Sequence, residues 1–179
     1  MKSTAERERM LAMTLPETEA SQSLDVRSSV LQPNQPIPEM YSAYDQNLSP
    51  ALEWSGVPSE AQSIVVIMED PDAPTEKPYV HWLIYNIPAS IDRLEPSIPR
   101  TERLLQPDGA VQGRNSTGTL GYFGPKPPKG DPPHHYHFEV FALDRMLDLA
   151  PGADRDALLR AMDGHMLAKG EFVATYHHP

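Results

Sequence analysis

The distribution of proline restricts the folding of this chain more than any other sequence feature. The chain has 20 prolines among 179 residues, about twice the usual proportion of roughly 5%. All but three of them lie between Pro33 and Pro133. A proline inside a helix removes a hydrogen bond and clashes with the preceding turn. The sequence therefore excludes a mainly helical bundle and predicts short strands joined by stiff turns.

The hydrophobic pattern between the turns is that of a β protein. Residues 64–68 form an unbroken apolar run rich in β-branched side chains, which is typical of a central strand covered on both faces. Apolar residues recur at helical spacing between Asp154 and Lys169, with Gly170 beyond, and predict one helix near the C-terminus. Further strands are predicted over residues 80–87, 134–143 and 172–176, and near Leu24, Leu52 and Val111. These elements suit a sandwich or a barrel.

Charge and composition argue against several function classes. The formal net charge is -10 and there is no run of lysine or arginine, so nucleic acid is not an expected partner. The absence of cysteine excludes disulfides, zinc sites built from thiolates and a thiol nucleophile. Residues 1–9 lack the apolar core of a secretory signal, and no apolar run is long enough for a membrane span. We expect a cytoplasmic protein.

The length predicts a single domain, residues 23–179, preceded by an extension of residues 1–22. In the extension, Ser3 and Glu6 have the spacing of a capping box, and Pro16 would end the helix that they begin. An isolated helix of about 11 residues is marginal in water. Two interpretations follow: a frayed tail, or a helix docked on its own subunit or on a neighbour.

Two aspartates follow the predicted strand 64–68. Asp70 and Asp72 are held in a segment that Pro71 and Pro74 stiffen. Carboxylates fixed at the end of a buried strand suit a functional site. An Asx-type turn with exposed aspartates would use the same residues.

His81 lies near the start of the predicted strand 80–87. Regular alternation would place His81 on one face together with Leu83, Tyr85 and Ile87, and would place Val80, Trp82 and Ile84 on the opposite face. A single such histidine is either a hydrogen-bonded core residue or a functional one. A second polar cluster that converges on it would favour function.

Strand 134–143 supplies that cluster. Alternation puts His134 and Tyr136 on one face and His135, His137 and Glu139 on the other. A metal site made of three histidines from this strand is therefore not expected. No metal or other cofactor is predicted.

A proline-rich loop, residues 121–133, precedes this strand. Its prolines are incompatible with the interior of a sheet, and its glycines, among them Gly124, permit close approach of the backbone to a ligand. The glycine, lysine and serine or threonine spacing of a P-loop is absent. We expect a rigid surface loop.

Several short motifs occur in a fixed order over roughly residues 24 to 176. They are Leu48-Ser49-Pro50 with Leu52 and Trp54; Asp70-Pro71-Asp72-Ala73-Pro74; His81-Trp82 with Asn86-Ile87-Pro88; Gly121-Tyr122 with Gly124-Pro125, Pro127-Pro128 and Gly130; His134, Tyr136 and Phe138; and Ala161-Met162 with Gly164-His165. Together they resemble the phosphatidylethanolamine-binding proteins, in particular the bacterial and archaeal branch labelled Raf-kinase-inhibitor-like. His135 stands where many relatives have arginine.

The resemblance implies a mainly β fold of two antiparallel sheets with a C-terminal helix, and a pocket for phosphate-like anions or a phospholipid head group. It also implies a cis peptide bond between Ala73 and Pro74, and it suggests a homodimer. The residues that it places in the pocket are Asp70, Asp72, His81, Gly124, His134 and Tyr136, with Pro74 and Pro125 at the rim.

The leading functional prediction is a binding protein for small anionic or phosphorylated ligands, which could regulate a protein partner. A small hydrolase that uses an Asp/His pocket is the alternative, although no serine or cysteine nucleophile motif is present. A pure protein-interaction role through the proline-rich loop or the N-terminal segment is a third hypothesis. If His81 and His134 both titrate near neutral pH, with a nearby amide and a tyrosine as neutral donors, phosphate binding should strengthen as pH falls from about 8 to 6.

Overall fold

The chain folds into two β-sheets, with the C-terminal helix and part of the N-terminal segment packed on one face of the larger sheet. The computed structural model describes residues 2–179. Its α-helices are α1 (Thr4–Glu8) and α2 (Arg155–Met162), and short 3-10 helices span Ala12–Thr14, Pro16–Thr18 and Glu39–Tyr41. The strands are β1 (Gln22–Ser23), β2 (Asp25–Arg27), β3 (Leu52–Ser55), β4 (Ser63–Asp70), β5 (Tyr79–Pro88), β6 (Arg93–Leu94), β7 (Val111–Gln112), β8 (His134–Leu143) and β9 (Met166–Tyr176).

The order of the strands confirms the predicted fold class. The large sheet has the order β1-β9-β8-β4-β5-β7, and the small sheet has the order β2-β3-β6. Neighbouring strands are antiparallel, apart from the short parallel pair of β1 and β9. As the apolar run 64–68 predicts, β4 lies inside the large sheet and is buried along its whole length.

Each face of the large sheet borders its own hydrophobic core. The first core lies between the two sheets and includes Trp54 from the small sheet with Trp82 and Phe138 from the large one. The second core lies on the opposite face and includes Ile67 from β4 and Leu158 from α2. Because β4 contributes side chains to both cores, its C-terminal end can hold a functional group on either side.

The predicted helix 154–169 is too long. Asp154 accepts a hydrogen bond from the backbone N–H of Ala157 at 2.9 Å and caps α2, but the helix ends at Met162. Gly164 then adopts a φ of +81°, a conformation that favours glycine. From Met166 the chain forms the long antiparallel ladder of β9 with β8. Pairing with β8, which a local pattern does not reveal, overrides the helical spacing here.

Residues 2–18, which we call the N-terminal strap, pack against the second core. The Ser3 and Glu6 capping box is present in α1, but α1 itself buries no residue. Contact begins further on, where Ala12 and Leu15 are buried. The backbone N–H of Ala12 donates to Glu69 Oε2 at 3.1 Å. The strap is therefore fixed to the end of β4.

Two side chains hold the strap by its backbone carbonyl groups. Arg155 Nη2 donates to the Met10 carbonyl oxygen at 2.7 Å, and Lys169 Nζ donates to that of Met13 at the same distance.

Within residues 2–179, no α-helix has the length and apolar character to cross a bilayer.

Candidate functional site

A β-bulge directs His81 toward the first core. Met68 pairs with Trp82, but the next residue, Glu69, pairs with Val80, so His81 is an extra residue in β5. Val80 belongs to the second core and Trp82 to the first, while the His81 ring packs edge-on against Tyr136 at 5.2 Å between centroids. The face predicted for His81 by alternation is therefore wrong, and a bulge is a common means of re-aiming a side chain.

A second bulge moves Ile87 as well. Ile64 pairs with Ile87 and Val66 with Ile84, which leaves an additional residue in β5 near Asn86. Ile87 consequently lies in the first core, whereas Leu83 and Tyr85 lie in the second. The predicted faces of β8 hold, since Tyr136 and Phe138 point into the first core.

His81 and His134 line the same cavity, which has a volume of about 290 Å³. The ends of β4, β5 and β8 form its base, and the proline-rich loop forms one wall. Four of the six residues predicted for the pocket line it, together with the predicted rim residue Pro74. The full lining is Asp70, Ala73, Pro74, Thr75, Tyr79, His81, Phe123, Lys126, Pro127, Pro128, His134 and Tyr136.

His134 lies between two carboxylates. Its Nδ1 is 2.7 Å from Asp70 Oδ2, and its Nε2 is 3.2 Å from Asp131 Oδ2. Asp70 is itself fixed, because its Oδ1 accepts the backbone N–H of Asp72 at 2.8 Å. The imidazole is thus held in one orientation by buried Asp70 and contacts Asp131 on its other side.

The pair of Asp70 and His134 retains a proton readily. Burial by itself lowers the pKa of His134, but the hydrogen bond and the charge of Asp70 outweigh burial and raise it above the ordinary 6.5. The pKa of Asp70 is also raised. Here burial is the cause, and the hydrogen bond from His134 opposes the rise only in part. The raised pKa of His134 increases the fraction of protonated imidazole at neutral pH.

His81 has the opposite character. Its Nδ1 lies 2.5 Å from the carbonyl oxygen of Phe123 and must carry a proton to make this bond. Burial lowers the pKa of His81 to about 4, despite this hydrogen bond. The expectation that His81 is protonated near neutral pH is therefore wrong. Its Nε2 then carries a lone pair and is available as an acceptor.

Asp72 and Gly124 do not line the cavity. Asp72 Oδ2 accepts hydrogen bonds from the His135 backbone at 2.7 Å and contacts His135 Nδ1 at 2.8 Å, on the exposed face of β8. The Gly124 N–H donates to Asn47 Oδ1 at 2.7 Å, so this amide is not a free donor as predicted. A Cβ at Gly124 would lie 2.2 Å from the Tyr41 carbonyl oxygen. Glycine at this position therefore allows the proline-rich loop to pack closely against the Tyr41 backbone, on the side of the loop away from the cavity.

Two other expectations for the loops are also wrong. Pro125 lies behind the rim, where its carbonyl oxygen accepts the Ala43 N–H at 2.9 Å, and Pro127 and Pro128 take its place at the cavity. The Ala73–Pro74 bond is trans; within residues 2–179 the cis bond is Gln106–Pro107. The trans chain turns by a hydrogen bond from Thr75 N–H to the Ala73 carbonyl oxygen.

Sequence reasoning missed Lys126, Tyr79 and Asp131. Lys126 lines the cavity, and its Nζ lies 5.9 Å from the centroid of the Tyr44 ring. Burial raises the pKa of Tyr79 and, more strongly, that of Tyr136, so both hydroxyl groups stay neutral. The one available signal was that Lys126 and Asp131 lie in the loop predicted to border the pocket.

The arrangement suits a small anion that carries an apolar substituent. Lys126 and, when protonated, His134 carry positive charge, the carboxylates of Asp70 and Asp131 lie against His134, and the tyrosines provide hydroxyl groups. The walls include Phe123 and three prolines. His81 Nε2 can accept a hydrogen bond from a protonated oxygen of the ligand.

Comparison with known proteins identifies the family. Residues 27–177 match the family described as phosphatidylethanolamine-binding protein. A UPF0098 protein of the archaeon Methanothermobacter thermautotrophicus is 49% identical over 140 residues, which cover 78% of this chain and 89% of that protein.

Two bacterial crystal structures have the same fold at substantial identity. Escherichia coli YbcL, described as a member of the mammalian PEBP family, has a TM-score of 0.82 and 34% identity, with 88% of this chain and 99% of that chain covered. The PEBP homologue CT736 of Chlamydia trachomatis has a TM-score of 0.78 and 36% identity, with coverage of 89% and 100%. The chain belongs to the phosphatidylethanolamine-binding protein family.

Proposed function

We propose that this protein binds small ligands through a phosphoryl or similar anionic group in the cavity lined by His81 and His134. The observation that carries the proposal is the position of His134, which Asp70 holds at the base of the cavity and whose pKa is raised. A protonated imidazole donates a charge-assisted hydrogen bond to an anionic oxygen. Lys126 supports the same ligand class from the rim.

The tautomer of His81 adds a preference for a protonated phosphoryl oxygen. Because Nδ1 donates to the Phe123 carbonyl group, Nε2 can only accept. A phosphate monoanion offers both a charged oxygen for His134 and an O–H group for His81. A phosphodiester offers only the charged oxygen.

We predict that anion affinity rises as pH falls from about 8 to 6. His134 is the group responsible, because its protonated fraction grows as pH falls through its raised pKa. His81, with a pKa of about 4, contributes no charge in this range. Titration calorimetry with inorganic phosphate measures the effect, and dimethyl phosphate, which stays a monoanion throughout, separates the titration of the protein from that of the ligand.

Variants of two histidines provide the control. His134→Gln should lose the pH dependence of dimethyl phosphate binding and weaken that binding at pH 6 by about tenfold or more, since a hydrogen bond to a charged group contributes roughly 1.5–3 kcal/mol. His165→Gln is the matched control, because His165 forms a similar pair with Asp144 at 2.9 Å outside the cavity. Equal affinity in all three proteins would refute the site.

Further arms separate the ligand sources and the competing activity. Vesicles that contain phosphatidylethanolamine test a lipid head group, and soluble phosphate and phosphonate esters test free ligands. Turnover of phosphoester, ester and peptide substrates tests the hydrolase hypothesis. The homodimer expected from the resemblance stays a prediction for light scattering.

A further inference from the structure

Asp131 occupies the face of His134 that an anionic ligand would need. The Asp131 carboxylate lies 3.2 Å from His134 Nε2, and Nδ1 is engaged by Asp70. An imidazolium has two N–H groups, and both are directed at carboxylates of this chain. Neither is free for an incoming anion.

The two carboxylates differ in how firmly they are held. The Asp70 side chain is 3% exposed and accepts a second hydrogen bond from the Asp72 backbone at 2.8 Å. The Asp131 side chain is 39% exposed, and its contact with His134 is 0.5 Å longer, 3.2 Å against 2.7 Å. Asp131 also lies in the proline-rich loop rather than on a strand. Of the two partners, Asp131 is the one that a ligand can displace.

We propose that Asp131 is a built-in competitor of the ligand: its carboxylate takes the place of the ligand anion on His134 in the free protein and moves away when a ligand binds. This inference rests on the proposed function and adds a specificity determinant to it. A ligand anion that forms only the hydrogen bond to His134 that Asp131 already forms has little net free energy to gain by displacing Asp131. A phosphoryl group, which can also reach His81 and Lys126 in the same cavity, gains contacts that Asp131 does not make.

The position of Asp131 in the loop allows this exchange. Asp131 follows Gly130, whose φ is +87° and whose N–H donates to the His178 carbonyl oxygen at 2.9 Å. The backbone is thus anchored on the C-terminal residues while the side chain remains partly exposed. A rotation of the Asp131 side chain exposes Nε2 without a change in the backbone.

The test replaces Asp131 by its neutral isostere. Asp131→Asn should bind inorganic phosphate about tenfold more tightly than the wild type, because a like charge within a few ångströms of the ligand is removed. The titration is run at pH 6, since removal of Asp131 also removes an interaction that raises the His134 pKa, and acidic conditions keep His134 protonated in both proteins. Asp144→Asn is the matched control: it neutralises a histidine-paired carboxylate of similar exposure, 44%, and should leave phosphate affinity unchanged.

The possible results separate this inference from the proposed function. Tighter binding by Asp131→Asn alone supports the competitor. Unchanged or weaker binding by Asp131→Asn, with a wild type that binds phosphate, overturns the competitor and leaves the anion site intact. Absence of phosphate binding by both folded proteins overturns the proposed function and the inference with it. As an independent readout, the carboxyl carbon signal of Asp131 in NMR should shift when phosphate is added to the wild type, and a constant signal contradicts displacement.

Discussion

His81 and His134 face one cavity with opposite proton chemistry, because their partners differ. A neutral carbonyl group holds His81, so burial dominates and its pKa falls. Two carboxylates hold His134, so its pKa rises in spite of burial. The same residue type therefore provides an acceptor and a charged donor in one cavity, a combination that matches a partly protonated oxyanion.

A substitution at His81 can remove the acceptor while it keeps the structural bond. In His81→Asn, the side-chain NH₂ group takes the place of Nδ1–H against the Phe123 carbonyl group, and nothing replaces Nε2. We expect inorganic phosphate to bind about two- to tenfold more weakly, the effect of one hydrogen bond, and dimethyl phosphate to bind with little change. Calorimetry with both ligands at pH 6 makes the comparison, and an equal loss for the two ligands would show that His81 is not the acceptor.

Alternation along single strands predicts part of this site. Along β8 it predicts correctly that Tyr136 and Phe138 share a face, because the ladder with β4 is regular there. Along β5 it fails at His81 and Ile87, because two register shifts interrupt the ladder. A bulge depends on how the partner strand is aligned, which local sequence does not determine. Lys126 and Asp131 were missed for a similar reason, since the path of the proline-rich loop brings Lys126 to the cavity and Asp131 to His134.

At the level of elements, an ion pair joins β4, α2 and the N-terminal strap. Arg155 Nε and Nη2 donate to Glu69 Oε1 at 3.2 and 3.0 Å, and Glu69 Oε2 accepts the Ala12 N–H. Both side chains are almost inaccessible to solvent, at 8% and 0% exposure. A buried charge that loses its partner is far more costly than the absence of the pair.

We predict that Arg155→Met lowers the free energy of unfolding by about 3–5 kcal/mol, because Glu69 is left as an unpaired buried charge. Urea unfolding at neutral pH measures the loss. Arg160→Met, on the exposed side of α2, is the matched control and should change stability by less than about 0.5 kcal/mol. The double variant Glu69→Gln with Arg155→Met should recover part of the loss, and a loss in the double variant equal to the sum of the single ones would argue against the pair.

For the molecule as a whole, Glu139 makes stability dependent on pH. Glu139 has no exposed surface, and its carboxyl group lies against that of Glu69, to which it can donate a hydrogen bond only when it is protonated. Burial, then the negative charge of Glu69 and the hydrogen bond with it, raise the pKa of Glu139 well above the ordinary 4.5, although Arg155 opposes the rise. The folded state therefore holds the proton of Glu139 more tightly than the unfolded state does.

The sign of the effect follows from this difference. The stabilisation is complete below the unfolded pKa of Glu139 and is lost as pH rises toward its folded value. Between pH 6 and 9 we expect the free energy of unfolding to fall less for Glu139→Gln than for the wild type. The difference between variant and wild type should therefore shift in favour of the variant as pH rises. Urea unfolding across this range tests it, with Glu53→Gln on the exposed side of β3 as control. Parallel profiles for Glu139→Gln and the wild type would contradict the assignment.

Two consecutive residues of β4 contact the strap and the cavity: Glu69 contacts the strap, and Asp70 lines the cavity. Glu69 holds the Ala12 N–H on one face of the large sheet, and Asp70 holds His134 on the other. A single peptide unit therefore separates the two contacts. If strap release weakens ligand binding by some factor, thermodynamic reciprocity requires the ligand to favour the attached strap by the same factor. Protection of residues 2–18 from protease cleavage would then report occupancy of a cavity that they do not touch.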